Sequence, residues 1–578
     1  AAETGSSDAP APEASEEPQT PPIPFDPHQR LRELKKKLVA GPEKRYYELT
    51  ELGIGKLQIG ILLNLVIVLL CAGVTTLLAL DMVPENRMRL VIFSQVLAML
   101  VSGLLGSHLM LDGLGSLFKG RFNLNSLLAF TFIACCVDAA SCLVEVRVPC
   151  CAAFCLEMTM AMAARCQRRS TEMGQMDSLR KAVRLKGITK ISDYYGGMPG
   201  LVRGEAEVED FMDTYSLPSA PEKVQGVYAL LSLLICIGIA VFAGMLHGIS
   251  LGVQILATSL LVAVPASFFI SYTRPMAVLE KRLHMVGTVL CGWEGVKGLS
   301  GKAAFPLRDE DLFPLGSTKL NGVKFYGRRS PDEVVALTAS LITAAGGGLV
   351  PVFQQLMKNR NVEAHPVKNF QNYGTGGIGG EVCGEPVLLG SLNFLQDMGV
   401  VIPEGTMVNQ AVYAAIDGQL CAVFAISYAK MRSAAAGLVT LCGHRSVTPV
   451  ILCGDFMLTE GFLQSKFGVK TRRIVFPTRE VRSDLLNRRP DPEAAALAIT
   501  TRDELVSAAY AVTGARSLRS AATLGTVIHL IGGILGMLTM LALGYLGSTE
   551  LLTPTNVLLY QLIWMIPGFL VTEWTRAV

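Results

Sequence analysis

At 578 residues the chain has room for several domains, but 51% apolar against 17% charged residues and a mean hydropathy of +0.42 exclude an ordinary soluble protein. A formal net charge of +3 implies neither nucleic acid nor an acidic partner. The 14 cysteines lack zinc-ribbon or paired disulfide spacing, so reduced thiols at a cytosolic address are expected.

Residues 1–27 are rich in Ala, Pro, Ser and Glu and bury too little apolar surface to offset chain entropy, which predicts a disordered tail. No basic-then-apolar start with a cleavage site follows, so no signal peptide is expected. Residues 28–57 form a basic juxtamembrane segment, with Leu31, Leu34 and Leu38 at helical spacing among lysines and arginines. It suits an amphipathic helix on an anionic leaflet or a solvated one. Eight stretches are long enough to cross a hydrocarbon core, at 58–80, 89–111, 124–144, 148–164, 226–246, 251–273, 522–546 and 553–573, since each crossing takes roughly 20 apolar residues. Basic loops follow the second, fourth and sixth, including Lys119, Arg121, Arg165, Arg168, Arg169, Arg274, Lys281 and Arg282. By the positive-inside bias these face the cytosol together with both termini, in a cell or inner membrane.

The predicted order is transmembrane helices 58–164, a small insert 165–225, helices 226–275, a large insert 276–521 and helices 522–578. Within the large insert, 331–356 has helical apolar spacing broken by Gly346, Gly347 and Gly348, and 382–389 reads as one short strand. Residues 411–427 alternate about the turn Asp417-Gly418, a hairpin signal, and 448–453 is a buried-type strand ending at Gly454-Asp455. The head is therefore α/β.

Several motifs occur in order within this layout. Gly120-Arg121-Phe122-Asn123-Leu124-Asn125-Ser126-Leu127 opens the third span, and Pro265 interrupts the sixth, followed by Pro275 and Gly287. Phe370, the run Gly374-Thr375-Gly376-Gly377-Ile378-Gly379-Gly380-Glu381-Val382-Cys383-Gly384 and Leu389-Gly390-Ser391 follow. Then come Ala429-Lys430-Met431-Arg432, Cys453-Gly454-Asp455-Phe456 and the closing Pro554-Thr555-Asn556 helix. Together they resemble the heavy-metal-transporting class of P-type ATPases over most of residues 58–578. The resemblance implies a polytopic α-helical membrane protein of about eight transmembrane helices, with a cytosolic α/β HAD-like head and a reduced actuator-like insert at 165–225. The phosphorylation-like domain would comprise 276–330 and 429–521, around a nucleotide-binding-like domain at 331–428.

The resemblance also fixes what is missing. Phosphoryl transfer needs a nucleophilic carboxylate, Mg²⁺ held by further carboxylates and cations over the transferred group. The family's Asp-Lys-Thr-Gly-Thr is absent. With Asp309 as nucleophile, Glu310 and Asp311 add negative charge where Lys and Thr should stand; aligned through Phe313 and Gly322 instead, Pro314 replaces the Asp. Either Arg479 or Arg482 must serve as the family's Lys, and no Gly-Asp-Gly-x-Asn-Asp loop follows. Gly346 to Pro351 replaces Ser-Glu-His-Pro, while His365-Pro366 lies downstream; the family's Thr-Gly-Glu is missing from the short insert, whose Arg203-Gly204-Glu205 is read as a coincidental string. Val264 and Ala266 replace the two Cys of Cys-Pro-Cys, so the thiolates that suit soft metals are gone.

The candidate residues are thus Asp309 and Asp455 for catalysis, Gly374, Gly376 and Gly380 for nucleotide, and Pro265, Glu157 and Asp138 for an ion path, because intramembrane ionisable groups are costly unless used. His529 is a further intramembrane ionisable group. No resident metal is assigned. Mg²⁺ and ATP are implied only if the chain is an active cation-translocating ATPase. The reading favoured is a pseudo-pump with a binding, regulatory or assembly role, whose partners are the lipid bilayer, a membrane protein and a cation.

Overall fold

The computed structural model describes residues 41–573 apart from 183, 207–211, 213–214, 216–218, 406–407, 409 and 492–493. The expected tail at 1–27 and the basic stretch to residue 40 lie outside the described residues. The chain enters through α1 (Pro42–Leu52), then α2 (Gly55–Ala79), α3 (Met88–Leu105), α4 (Ser107–Phe118), α5 (Leu124–Glu145) and α6 (Cys151–Lys181). After a hairpin come α7 (Ala220–His247), α8 (Ile249–Ala263) and α9 (Thr273–Met285). Among the described residues seven segments are long and apolar enough to cross a membrane: α2, α3, α5, α7, the run Ile249–Met285, and the last two helices, α13 (Leu505–Leu546) and α14 (Pro554–Glu573).

The fourth expected span, 148–164, is the first half of α6. It is not among the seven, yet it lies inside the bundle, with Ala152, Ala153, Phe154, Cys155 and Met158 at 0% exposure. A helix wrapped by other helices has no need of an apolar face toward lipid. The second expected span stops early, at Gly106, between α3 and α4. A Cβ there would lie 2.0 Å from the Met158 sulfur, so α6 crosses too close for a side chain. Asn123 starts α5 as an N-cap, its Oδ1 accepting from Ser126 N at 2.8 Å.

Two six-stranded sheets form the head. The strands are β1 (Lys186–Tyr195), β2 (Met198–Glu205), β3 (Thr288–Leu290), β4 (Ala303–Leu307), β5 (Thr318–Phe325), β6 (Val367–Asn372), β7 (Gly377–Val382), β8 (Glu385–Gly390), β9 (Ala411–Ile416), β10 (Gln419–Tyr428), β11 (Val447–Ile451) and β12 (Ala498–Thr500). The first sheet runs β11-β4-β2-β1-β12-β3 and the second β5-β10-β9-β8-β7-β6. The expected boundary at 330 therefore falls after β5, which has already joined the second sheet. The Asp417-Gly418 hairpin forms between β9 and β10, with φ of 51° and 72°. The strand expected at 382–389 is instead a hairpin, because Cys383 and Gly384 take φ of 54° and 85° and reverse the chain.

The insert at 165–225, expected as a reduced actuator-like insert, is joined to the head sheet. Its hairpin β1–β2 lies in the middle of the first sheet, β1 antiparallel to β12 and β2 parallel to β4. Ile188 and Leu201 are fully buried there. Three hydrogen bonds fasten the hairpin to α12 (Arg479–Asn487) and its C-cap: Tyr194 OH to Leu485 O at 3.0 Å, and Arg488 Nη1 to Asp193 O at 2.6 Å and to Tyr194 O at 3.0 Å. The hairpin is paired at three positions with β12 and at one, Gly200 with Ala304, with β4, and parting these strands would leave main-chain groups unpaired at about 1–3 kcal/mol for each buried one.

Helix α13 is continuous for 42 residues. Its N-terminal half packs in the head and its C-terminal half in the bundle, so head and membrane part share one rod.

Candidate functional site

The head site forms where β4 and β11, parallel neighbours, end side by side. Such C-terminal strand ends leave outward-facing loops that commonly hold ligands. Asp309 follows β4 and Asp455 follows β11. The Asp309 carboxylate accepts three backbone N–H groups: Gly454 N on Oδ2 at 2.8 Å, Asp455 N on Oδ1 at 3.1 Å and Gly348 N on Oδ1 at 3.2 Å. It thereby ties the 453–455 turn to the glycine loop that follows α10 (Pro331–Ala345).

That loop roofs the site. Gly346 and Gly347 have φ of 76° and 90°, a region open to glycine at no steric cost. A Cβ on Gly347 would stand 2.3 Å from Asp455 N, and one on Gly454 would stand 2.7 Å from Gly347 N. The backbones touch. A Cβ on Gly348 would meet Asp309 Cβ at 3.8 Å and Asp455 Oδ2 at 4.0 Å, so Gly348 sits between the two carboxylates.

Asp455 is 5% exposed. Its Oδ2 accepts from Tyr428 OH at 2.8 Å and its Oδ1 from Met457 N at 2.9 Å. Burial outweighs these donors and pushes its pKa up to about 7. Asp311 does not join the pair; it accepts from Arg308 N at 2.8 Å and forms an ion pair with Arg203, which also reaches Asp503 at 3.5 Å. Arg203 is therefore a buried counter-ion of the head sheet, a role that the Arg203-Gly204-Glu205 reading missed. Of the two candidate arginines, Arg482 reaches the site, donating to Cys453 O at 2.5 Å. Arg479 instead stacks over the Phe370 ring, 4.2 Å from its centroid.

These residues do not fit a magnesium ion. Each oxygen of Asp309 and Asp455 already takes a hydrogen-bond donor, Asp311 is held by an arginine, and among the described residues no group of three or more His, Cys, Asp or Glu is placed to hold a metal. The glycine run divides as well. Gly374 and Gly376 form the β6–β7 turn with φ of 68° and 93°. Gly380 faces the core, where a Cβ would stand 2.9 Å from Leu341 Cδ1. The three do not converge on one surface.

The membrane site is built around Pro265. Proline lacks the N–H that would bond Leu261 O and ends the helix, so α8 stops at Ala263 and a short 3-10 turn, Ala266–Ile270, follows. Gln561 of α14 repairs the break. Its Nε2 donates to Leu261 O, to Val264 O at 3.3 Å and to Glu157 Oε1 at 2.9 Å, and its Oε1 accepts from Ala266 N at 2.5 Å. Tyr228 OH covers Ala263 O at 2.7 Å. Next to this knot Ser267 Oγ lies 2.7 Å from His529 Nε2, while His529 Nδ1 lies 2.5 Å from Gly525 O. A neutral imidazole there carries its proton on Nδ1 and accepts from Ser267.

Pro265 and Glu157 are thus brought together, through a residue to which the sequence assigned no role. Asp138 is not with them: Arg147 pairs with it at 2.6 Å and approaches Glu145 at 3.7 Å. Its carboxylate is paired with an arginine, away from the Pro265 break.

A helical bundle broken at a proline and joined by one continuous rod to a two-sheet α/β head defines a polytopic membrane protein with a built-in head. No family model matches the chain. It is similar to the copper-transporting ATPase 1 of Rhizobium meliloti, 26% identical over 186 residues, which covers 29% of this chain and 22% of that protein. The chain therefore matches less than a quarter of this relative's length. Among solved structures it is similar to a zinc-transporting PIB-type ATPase in its E2.Pi state, at 12% identity and a TM-score of 0.42 over 90% of this chain and 99% of that one. It is also similar to the N-domain of the copper-transporting P-type ATPase HMA8, at 20% identity and a TM-score of 0.17 over 19% of this chain and 98% of that one. Neither score supports a conclusion about function.

Proposed function

We propose that the chain is a P-type-ATPase-like membrane protein working as a pseudo-pump, with a binding, regulatory or assembly role in a cell or inner membrane and its head in the cytosol. The observation that carries this reading is how Asp309 is held: three backbone N–H groups take three of its roughly four lone-pair sites, and the Gly348 backbone packs beside it. An in-line attack needs a carboxylate oxygen with a free lone pair aimed at open space. The zipped insert hairpin supports the same reading, because an actuator must move toward the site to complete a cycle. Degeneracy of the phosphorylation, actuator and magnesium-loop motifs belongs to the proposal.

A second reading, an active heavy-metal-type cation pump using Asp309 with Mg²⁺ and ATP, is favoured by one observation. Glu157 is 2% exposed against the Pro265 break and takes its hydrogen bond from a neutral amide, Gln561, with no ion pair among the described residues. The test is labelling of the purified full chain with γ-labelled ATP and Mg²⁺, with Asp309→Asn alongside. The pseudo-pump reading expects no acid-stable label on either. Label on the wild type that Asp309→Asn abolishes would establish the pump.

A further inference from the structure

A cleft with a volume of about 1300 Å³ lies away from both sites, at one end of the helical bundle. That exceeds the roughly 300–1,000 Å³ of a typical small-ligand pocket. Its walls are α1, α4, the middle of α6, the first turns of α7 and the loop that caps α5. These are the places where spanning helices leave the hydrocarbon.

Two properties of the lining point to one class of occupant. The first is charge. Seven Lys or Arg side chains and three carboxylates line the cleft. The carboxylates are spoken for: Glu172 pairs with Arg45 at 2.7 Å, Glu222 with Arg168 at 2.5 Å, and Asp112 with Arg165. Lys119, Arg121, Arg169 and Lys223 are left without a carboxylate partner among the described residues. Burial and then the neighbouring Arg165 lower the pKa of Arg169, and Asp112 and Glu172 offset this only in part.

The second property is that the same cleft opens onto apolar side chains that face the lipid level. Leu111, Val227 and Leu230 are 67%, 63% and 43% exposed, and all three line it. A soluble phosphate or an acidic peptide would need the cations alone. An anionic lipid uses both halves, with its phosphate between the four cations and its first methylenes along Leu111, Val227 and Leu230. The cleft is also held open by tight backbone packing rather than by mobile side chains. Gly226 of α7 lies against the α5 cap loop so closely that a Cβ would stand 2.5 Å from Phe122 O.

We infer that this cleft is a binding site for the phosphate headgroup of an anionic glycerophospholipid, with Arg169 and Lys223 as its principal cations. The site does not depend on whether the head transfers phosphoryl groups.

The test uses the full chain in nanodiscs of mixed phosphatidylglycerol and phosphatidylcholine with matched acyl chains. Native mass spectrometry after release reads which lipid stays bound. The wild type is expected to retain phosphatidylglycerol in preference to phosphatidylcholine. Arg169→Gln with Lys223→Gln should reduce that preference roughly tenfold or more, since each basic residue at an anionic surface contributes about 1 kcal/mol. Arg169→Lys should keep most of it, and Lys319→Gln with Lys324→Gln on β5 should change nothing. An equal preference in the double variant and the wild type would overturn the site. Displacement of the retained lipid by inorganic phosphate, glycerol phosphate or an acidic peptide would overturn the lipid assignment.

Discussion

The break at Pro265 and the joint at Asp309 pose one physical problem in two solvents, and the chain solves it differently in each. In the bundle a proline frees Leu261 O where no water can serve it, and a side chain, Gln561, answers with both ends of its amide. In the head a carboxylate lies at a strand end that water could reach, yet the backbone closes over it through Gly347 and Gly348. The consequences differ. The membrane knot leaves Glu157 beside a neutral amide, that of Gln561. The head joint leaves neither Asp309 nor Asp455 an oxygen without a donor. The two joints therefore differ in what closes them, a side chain from another helix in the bundle and loop backbone in the head.

The comparison breaks most easily at Gln561. Gln561→Leu strands Leu261 O, Ala266 N and Glu157 at once and is expected to destabilise the full chain by roughly 3–5 kcal/mol, at about 1–3 kcal/mol per buried group. Thermal unfolding in detergent reads the loss, and Gln561→Glu should lose less because it can still accept from Ala266 N.

Next is Gly347→Ala, which forces a side chain into a φ of 90° and against Asp455 N. A loss of about 2–3 kcal/mol is expected, with faster hydrogen exchange at the Gly348, Gly454 and Asp455 amides.

The third effect depends on pH. The pKa of Asp455 is about 7 when folded against about 3.9 unfolded. Folding therefore favours the protonated form, and this contribution is complete below about pH 4 and lost as the pH rises through 7. Asp455→Asn cannot ionise, so its stability relative to the wild type should improve by about 2 kcal/mol between pH 5 and pH 8. An unchanged difference across that range would remove the buried, uncompensated carboxyl from the account.

The smallest effect is at the latch between the two sheets. Arg479→Gln removes the cation over Phe370 and should cost about 1 kcal/mol or less, read as faster proteolysis of the 479–488 segment.

Much of this was legible in the sequence for physical reasons. Long apolar runs have few other uses, so the spans showed in composition, and Pro265 marked its own break. Asp417-Gly418 announced a hairpin because few residue pairs tolerate that turn. The misses share a cause, which is that they depend on partners distant in the chain. The close crossing of α6 at Gly106, the pairing of Arg147 with Asp138, and the choice of β4 and β12 as neighbours for the insert hairpin are set by packing that no local pattern records. Cys383-Gly384 was passed over as a turn because Cys is an unusual residue at positive φ. Gln561 carried a readable signal, a lone amide in the middle of an apolar helix, but its object, a freed carbonyl on another helix, was not local. Asp309 was found by sequence as a candidate nucleophile. That its own backbone holds it was not visible, because a glycine loop reads the same whether it lines a pocket or fills one.

The two readings of the head differ on whether the Gly347–Gly348 backbone stays packed beside Asp309 in the working protein. A Cβ on Gly348 would lie 3.8 Å from Asp309 Cβ, the mean separation of about 3.8 Å found in disulfides, so Asp309→Cys with Gly348→Cys should crosslink under mild oxidation in native membranes. High yield in both the absence and the presence of MgATP, mapped by peptide mass spectrometry to residues 309 and 348, is the predicted result. Absence of that crosslink, or its suppression by MgATP, would contradict a closed site and return Asp309 to the role of phosphoryl acceptor.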